Sequence, residues 1–222
     1  MYPYLLFDLD GTLTDPLEGI TKSVAYALHS FGIDVPPQTL TSFIGPPLID
    51  QFMAYANFDR ETALAAVAKY RERFKEIGIF ENRLLDGVPE MLSALRDSGH
   101  ILCVSSSKPE VFVHRILEHF GLSDKFSVVC GSELDGTRCK KSEVIEETLS
   151  RLSRLYPDAD FGDRKNCLMI GDRIHDIEGA RACRMDAVGV TFGYAQPGEL
   201  ENSGAVQIVS SWDALIAFVE AS

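Results

Sequence analysis

Two aspartates one residue apart, Asp8 and Asp10, close the apolar run YLLFDLD at residues 4–10. Two carboxylates pressed together at the end of a buried segment cost free energy, so this arrangement calls for a compensating cation. Three other stretches place polar groups where an apolar run ends or a helical pattern begins: Ser105-Ser106-Ser107-Lys108, Gly171-Asp172-Arg173-Ile174-His175-Asp176, and the basic pair Lys140-Lys141. Carboxylate oxygens are hard ligands that suit magnesium. A magnesium ion kept only partly dehydrated by Asp8 and Asp172 also binds phosphate, with a lysine of the pair and a serine hydroxyl supplying further charge and hydrogen bonds. The chemistry expected is phosphate chemistry at a Mg2+ site.

Residues so far apart in sequence meet only if the fold gathers them. Short apolar runs at 4–10, 100–107, 126–132, 166–172, 186–193 and 205–211 are continuous rather than alternating, as in strands covered on both faces. Between them, EMLSALRDSG, EVFVHRILEHFG and KSEVIEETLSRL carry apolar residues at helical spacing. Strand and helix in alternation predict an α/β fold with a doubly wound parallel sheet. Ligands of such a sheet bind beyond the carboxyl ends of its strands, where strand order reverses, and each polar strand ending above is therefore a candidate.

One segment breaks the alternation. From Pro16 to about Leu84 only helical patterns occur: LEGITKSVAYALHSFG, PPLIDQFMAYA and RETALAAVAKYRERFKEIG. This predicts a small helical domain at 16–84 inserted into a core of 1–15 and 85–222, with hinges near Asp15-Pro16 and Asp86-Gly87. The spacing assigns Phe52, Met53, Tyr70 and Phe74 to the core of that insertion.

The whole chain, 222 residues with 45% hydrophobic and 24% charged, has the composition of a globular protein with a sizeable core. Its net charge of −12, from 33 acidic and 21 basic residues, opposes nucleic acid or an anionic membrane as partner. Asp8 and Asp10 interrupt the apolar N-terminal segment, and no run approaches the ~20 residues of a membrane span, so a cytoplasmic protein is expected. Five scattered cysteines lack the close pairs of a zinc site and are expected to be small structural hydrophobes.

The stretch FDLDGTLTD closely resembles the first motif of the haloacid dehalogenase superfamily in its phosphatase branch. A serine ending the second strand, a lysine after the third and GDxxxD after the fourth match the remaining motifs in order. FIGPPL, KSEVI and GDRxHD are similar to forms found in phosphoglycolate phosphatase-like and nucleotidase-like members with a helical cap. The resemblance implies that Asp8 is the nucleophile and Asp10 the acid and then the base. It implies metal ligation by the side chains of Asp8 and Asp172 and the backbone carbonyl of Asp10, with Asp176 as a ligand or support. It selects Ser106 from the serine run, with Ser107 beside it and Lys108 near the rim, and Lys141 over Lys140. Gly11 lets the backbone approach the phosphate and Thr12 continues the motif. An aspartate ordinarily titrates at about 3.9, so a proton-donating Asp10 needs a raised pKa.

The expectation is thus a phosphatase for a small phosphomonoester, phosphoglycolate or a nucleoside monophosphate, acting as monomer or homodimer. The cap is expected to exclude bulk water, with Gly45 and Pro46 near the leaving group, while His175 orients its loop rather than acting as a base. A sugar-phosphate mutase shares the two aspartates and the cap. A phospho-aspartate receiver module is about half this length and lacks the DxDGT form, dehalogenases lack the second aspartate, and cation pumps carry threonine there.

Overall fold

The computed structural model describes residues 2–162 and 164–222. Its principal elements, in chain order, are β1 (Tyr4–Phe7), α1 (Leu17–His29), α2 (Leu48–Ala56), α3 (Arg60–Arg73), α4 (Val88–Asp97), β2 (Ile101–Pro109) and α5 (Glu110–His119). They continue with β3 (Val128–Ser132), α6 (Lys141–Leu155), β4 (Cys167–Gly171), α7 (Ile174–Ala182), β5 (Asp186–Val190), β6 (Gln207–Val209) and α8 (Trp212–Ala221). The chain divides into two compact units: the segment up to Leu13 together with Leu84–Ser222, and Thr14–Arg83.

The first unit is built on a six-stranded sheet of order β3-β2-β1-β4-β5-β6 in which every neighbouring pair is parallel. β1 lies inside it, Tyr4 beside Ile101 and Cys167 and Phe7 beside Val104 and Ile170. Tyr4 and Leu6 join a core with Ile145, Leu149 and Leu152 of α6 and Ile177 and Ala180 of α7. Leu5 and Phe7, which alternate to the other face, are also fully buried. A strand covered on both faces has no position for a polar residue until it ends.

Order reverses at β1: the strands following it run to β2 and β3 on one side, then to β4, β5 and β6 on the other. The carboxyl ends of β1, β2 and β4 therefore open on one crevice. The ladder of β1 stops at Phe7, earlier than the apolar run suggests, although the Asp8 amide still donates to the Ile170 carbonyl at 2.9 Å. The chain then turns back, Leu13 N–H donating to Leu9 O at 2.8 Å. β2 runs two residues beyond its predicted end, and its register slips: Ser105 faces Cys130 while Pro109 faces Ser132. Four steps on β2 thus match two on β3, a bulge that throws Ser106, Ser107 and Lys108 out of the ladder.

In the Thr14–Arg83 unit, α1 packs on α3 and α3 on α2. Its core includes Phe52, Tyr70 and Phe74, with Phe43 and Phe52 rings edge-on at 5.1 Å. Met53 departs from the expectation at 36% exposed, because one residue further along a helix turns the side chain ~100° from Phe52. The predicted helix at 60–78 is α-helical to Arg73 and continues as a π-helical turn, Phe74–Gly78. Asp59 caps α3 by accepting from Thr62 N–H at 2.8 Å.

Four cysteines are buried and only Cys139 is exposed. Burial pushes the Cys167 thiol up to about 12, so it behaves as a small hydrophobe. Among the described residues no helix is long and apolar enough to cross a membrane.

Candidate active site

Asp8, Asp172 and Asp176 converge at the switch point, each buried and each with a carboxylate oxygen within 4.8 Å of the others. Asp8 follows β1, Asp172 follows β4, and Asp176 lies in the first turn of α7. Two glycines permit this crowding. Gly11, at φ +87°, would place a Cβ 2.2 Å from Asp172 Oδ2, and a Cβ on Gly171 would meet Asp176 Cγ at 2.2 Å. A side chain at either position would push an acid out of the cluster.

Lys141, at the first position of α6, sends its ammonium into the cluster. Nζ lies 2.7 Å from Asp8 Oδ1, 2.7 Å from Asp176 Oδ1 and 2.9 Å from the carbonyl of Ser105. Ser105 is held in turn by Thr148 of α6, whose hydroxyl meets its Oγ at 3.1 Å. Lys140 is exposed, its backbone N–H donating to Glu143 Oε2 at 3.2 Å at the start of the helix. Of the basic pair, the structure thus sends Lys141 inward.

Other carboxylate oxygens of the cluster are tied to backbone and hydroxyl groups. Asp172 accepts from Tyr194 N–H at 2.7 Å and from the Thr12 hydroxyl at 3.3 Å. Asp176 Oδ2 accepts from Arg173 N–H at 3.0 Å. Arg173 is anchored by Glu199, which takes its Nε–H and the Ile174 N–H, both at 2.8 Å. Glu199 is a supporting residue that no motif identifies, because it reaches the site from a loop after β5.

Asp10 stands apart from the three-acid cluster. Its Oδ2 lies 2.7 Å from Nζ of Lys108, and its Oδ1 is buried with no hydrogen-bond partner among the described residues. Lys108 was expected near the rim, yet its side chain is 6% exposed, because the bulge in β2 swings it inward. Ser106 is buried and its hydroxyl accepts from Lys108 N–H at 3.3 Å. Ser107 is half-buried, its carbonyl accepting from the Ser132 hydroxyl at 2.8 Å. His175 is exposed, while Gly45 and Pro46 are half-buried residues of the Thr14–Arg83 unit, just before α2.

The electrostatics follow from burial. Desolvation raises the Asp172 carboxyl well above its usual range, and Asp176 and Asp8 push it further. Desolvation likewise raises Asp176, with Lys141 opposing it, and raises Asp10 against the opposing pull of Lys108. Burial works against the Lys141 ammonium, but Asp176 and Asp8 outweigh it and its pKa is raised. Four carboxylates against two ammonium groups leave an excess of two negative charges when all are ionised. A divalent cation balances that excess, and an all-oxygen donor set suits a hard one. The residues therefore fit a metal of the magnesium kind.

A buried carboxylate cluster with a lysine against it and a second, separately held acid two residues from Asp8 offers the kinds of group that phosphoryl transfer uses. Residues 5–190 match the haloacid dehalogenase-like hydrolase family. A 5'-nucleotidase of Pseudomonas aeruginosa is 48% identical over 200 residues, which cover 90% of this chain and 87% of that one. The tyrosine-protein kinase PtkA of Mycobacterium tuberculosis is 38% identical over 193 residues, covering 86% of this chain and 63% of that longer protein. Among solved structures, a predicted phosphatase from Clostridium acetobutylicum matches with a TM-score of 0.92 at 45% identity, over 100% of both chains.

Proposed function

This chain belongs to the haloacid dehalogenase-like hydrolase family and is a phosphoric monoester hydrolase; from that premise we propose that it is a Mg2+-dependent phosphatase of small phosphomonoesters working through an aspartyl-phosphate on Asp8. The observation that carries this reading is the buried meeting of Asp8, Lys141, Asp172 and Asp176 beside a second, separately held acid, Asp10.

In the first step an oxygen of Asp8 bonds to phosphorus as the ester P–O bond breaks, and Asp10 gives its proton to the departing oxygen, releasing the alcohol. In the second, water attacks phosphorus, Asp10 takes a proton from it, and the bond to Asp8 breaks to release inorganic phosphate. Splitting the displacement in two lets one carboxyl serve first as acid and then as base. A raised Asp10 pKa suits the first role. Lys141 keeps the nucleophile in place and adds positive charge where the transferring phosphoryl group gathers negative charge, and the Ser106 hydroxyl is available to a phosphoryl oxygen. Asp8, Asp172 and the Asp10 carbonyl would hold the magnesium ion, with Asp176 in support, and the bound ion would screen phosphate from the nucleophile.

Nucleoside 5'-monophosphates head the substrate candidates because of the resemblance to the Pseudomonas 5'-nucleotidase, with phosphoglycolate next. The test is phosphate release from both, with and without Mg2+, by wild type, Asp8→Asn and Asp10→Asn. Activity that needs Mg2+ and Asp8 is expected. Full activity in both variants, or undiminished turnover in chelator, would sink the assignment. Including ATP and a tyrosine peptide separates hydrolysis from phosphate transfer to protein.

A further inference from the structure

We propose that Lys108 is a positioning residue for the proton transfer, clamping one oxygen of Asp10 so that the other faces the leaving group bare. The inference rests on Asp10 being the proton carrier, and it adds the group that aims it. Three observations carry it. The ammonium of Lys108 sits 2.7 Å from Asp10 Oδ2, with both side chains buried, at 6% and 11% exposed. Oδ1 of the same carboxylate is buried and makes no hydrogen bond among the described residues. An ordinary structural ion pair satisfies both oxygens of a buried acid, whereas this one satisfies only Oδ2 and leaves Oδ1 for a reacting atom.

The third observation is the rigidity behind the lysine. Lys108 lies in the β2 bulge, where its N–H is taken by Ser106 Oγ at 3.3 Å. Its carbonyl packs so closely on Gly131 that a Cβ there would stand 2.5 Å away. The next segment is fastened by Glu110, which accepts from Gly131 N–H at 3.1 Å, from Arg138 at 3.1 Å and from Arg151 at 2.9 Å. A long lysine side chain is a poor pointer on a mobile backbone, but this one starts from a pinned base. Packing at the base and an ion pair at the tip turn it into a strut.

The experiment compares wild type, Lys108→Met, Lys108→Arg, Asp10→Asn and the Lys108→Met/Asp10→Asn double variant on two substrates. One is an aryl phosphate whose phenolate departs without a proton; the other is an alkyl phosphate whose alkoxide needs one. The readout is kcat/KM, which reports the step in which the leaving group departs. Lys108→Met is expected to lose about 10²-fold on the alkyl phosphate, the scale of general acid catalysis, and less than tenfold on the aryl phosphate. Lys108→Arg should recover most of that loss, and Lys108→Met should add under about twofold once Asp10 is asparagine, since two residues acting through one proton are not additive. Equal losses on both substrates, as misfolding or a purely structural pair would give, overturn the proposal, as do full additivity with Asp10→Asn and an undiminished Lys108→Met. If Asp10→Asn itself keeps its alkyl phosphatase activity, the assignment of Asp10 falls first and the role of Lys108 falls with it.

Discussion

The sheet-bearing unit and the helical unit handle charge in opposite ways. The first buries Asp8, Asp10, Lys141, Asp172 and Asp176 at one crevice, and the side chain of Lys108 with them. In the second, no charged residue is buried among the described ones. Its ion pairs, such as Arg73 with Glu81 at 2.7 Å and Arg83 with Asp15 at 2.7 Å, stay at or near the surface, and its interior is aromatic and aliphatic. Charge in the helical unit can thus be removed at little cost, whereas charge in the crevice holds a site that is strained without its cation.

The contrast is sharpest for Asp8, the proposed nucleophile. Asp8→Asn should lower kcat by about 10⁴-fold or more in a phosphate-release assay, and a variant that kept a tenth of the activity would break the comparison at its root. Next comes Lys141→Met, which strands Asp8 and Asp176 without their shared ammonium. In chelator it should cost about 3–5 kcal/mol in urea unfolding, with part recovered on adding Mg2+. The helical unit has its own large effect, of a different kind: Phe52→Ala should cost about 3–4 kcal/mol through the cavity it leaves, and Mg2+ should not recover it.

A smaller effect concerns pH. The carboxyls of Asp172, Asp176 and Asp10 titrate above their usual 3.8 in the folded protein, so between 3.8 and the raised values the folded state holds protons the unfolded state has lost. Stability from these groups is therefore present at low pH and is lost as pH rises through that window. Metal-free protein should show this fall and Mg2+-loaded protein should not, so the gap between their unfolding midpoints should widen from acid to neutral pH. A constant gap would mean that the acids are not strained without the ion. The smallest effect is expected for Glu81→Gln, at about 1 kcal/mol in urea unfolding, because the amide oxygen still accepts from Arg73 at this part-buried site.

Much of the crevice was legible in the sequence because its parts sit where periodicity ends. Asp8, Ser106 and Asp172 each follow a continuous apolar run, and a parallel sheet brings such endings together whatever lies between them. Spacing alone leaves Lys140 and Lys141 open and only the resemblance of KSEVI favours Lys141; the physical reason is helix phase, since one residue sends one ammonium inward and leaves the other in water. The burial of Lys108 depends on a register slip between two strands, and a slip leaves no mark in the periodicity of either strand alone. Met53 failed for a related reason: an apolar residue next to Phe52 fits a helical stripe by type, but it is turned off the buried face.

The central place of β1 has a consequence for how the molecule is made. Tyr4–Phe7 leaves the ribosome well before the strands it pairs with, Ile101–Val104 and Cys167–Ile170. At about 5–20 residues per second, the second neighbour arrives some 10–30 s after the first strand is complete. Through that interval a fully apolar strand has at least one open edge, the kind of segment that recruits other chains. Slower elongation should therefore lower soluble yield more than it lowers the activity of the molecules that do fold, and a chaperone that shields short apolar segments should restore the yield.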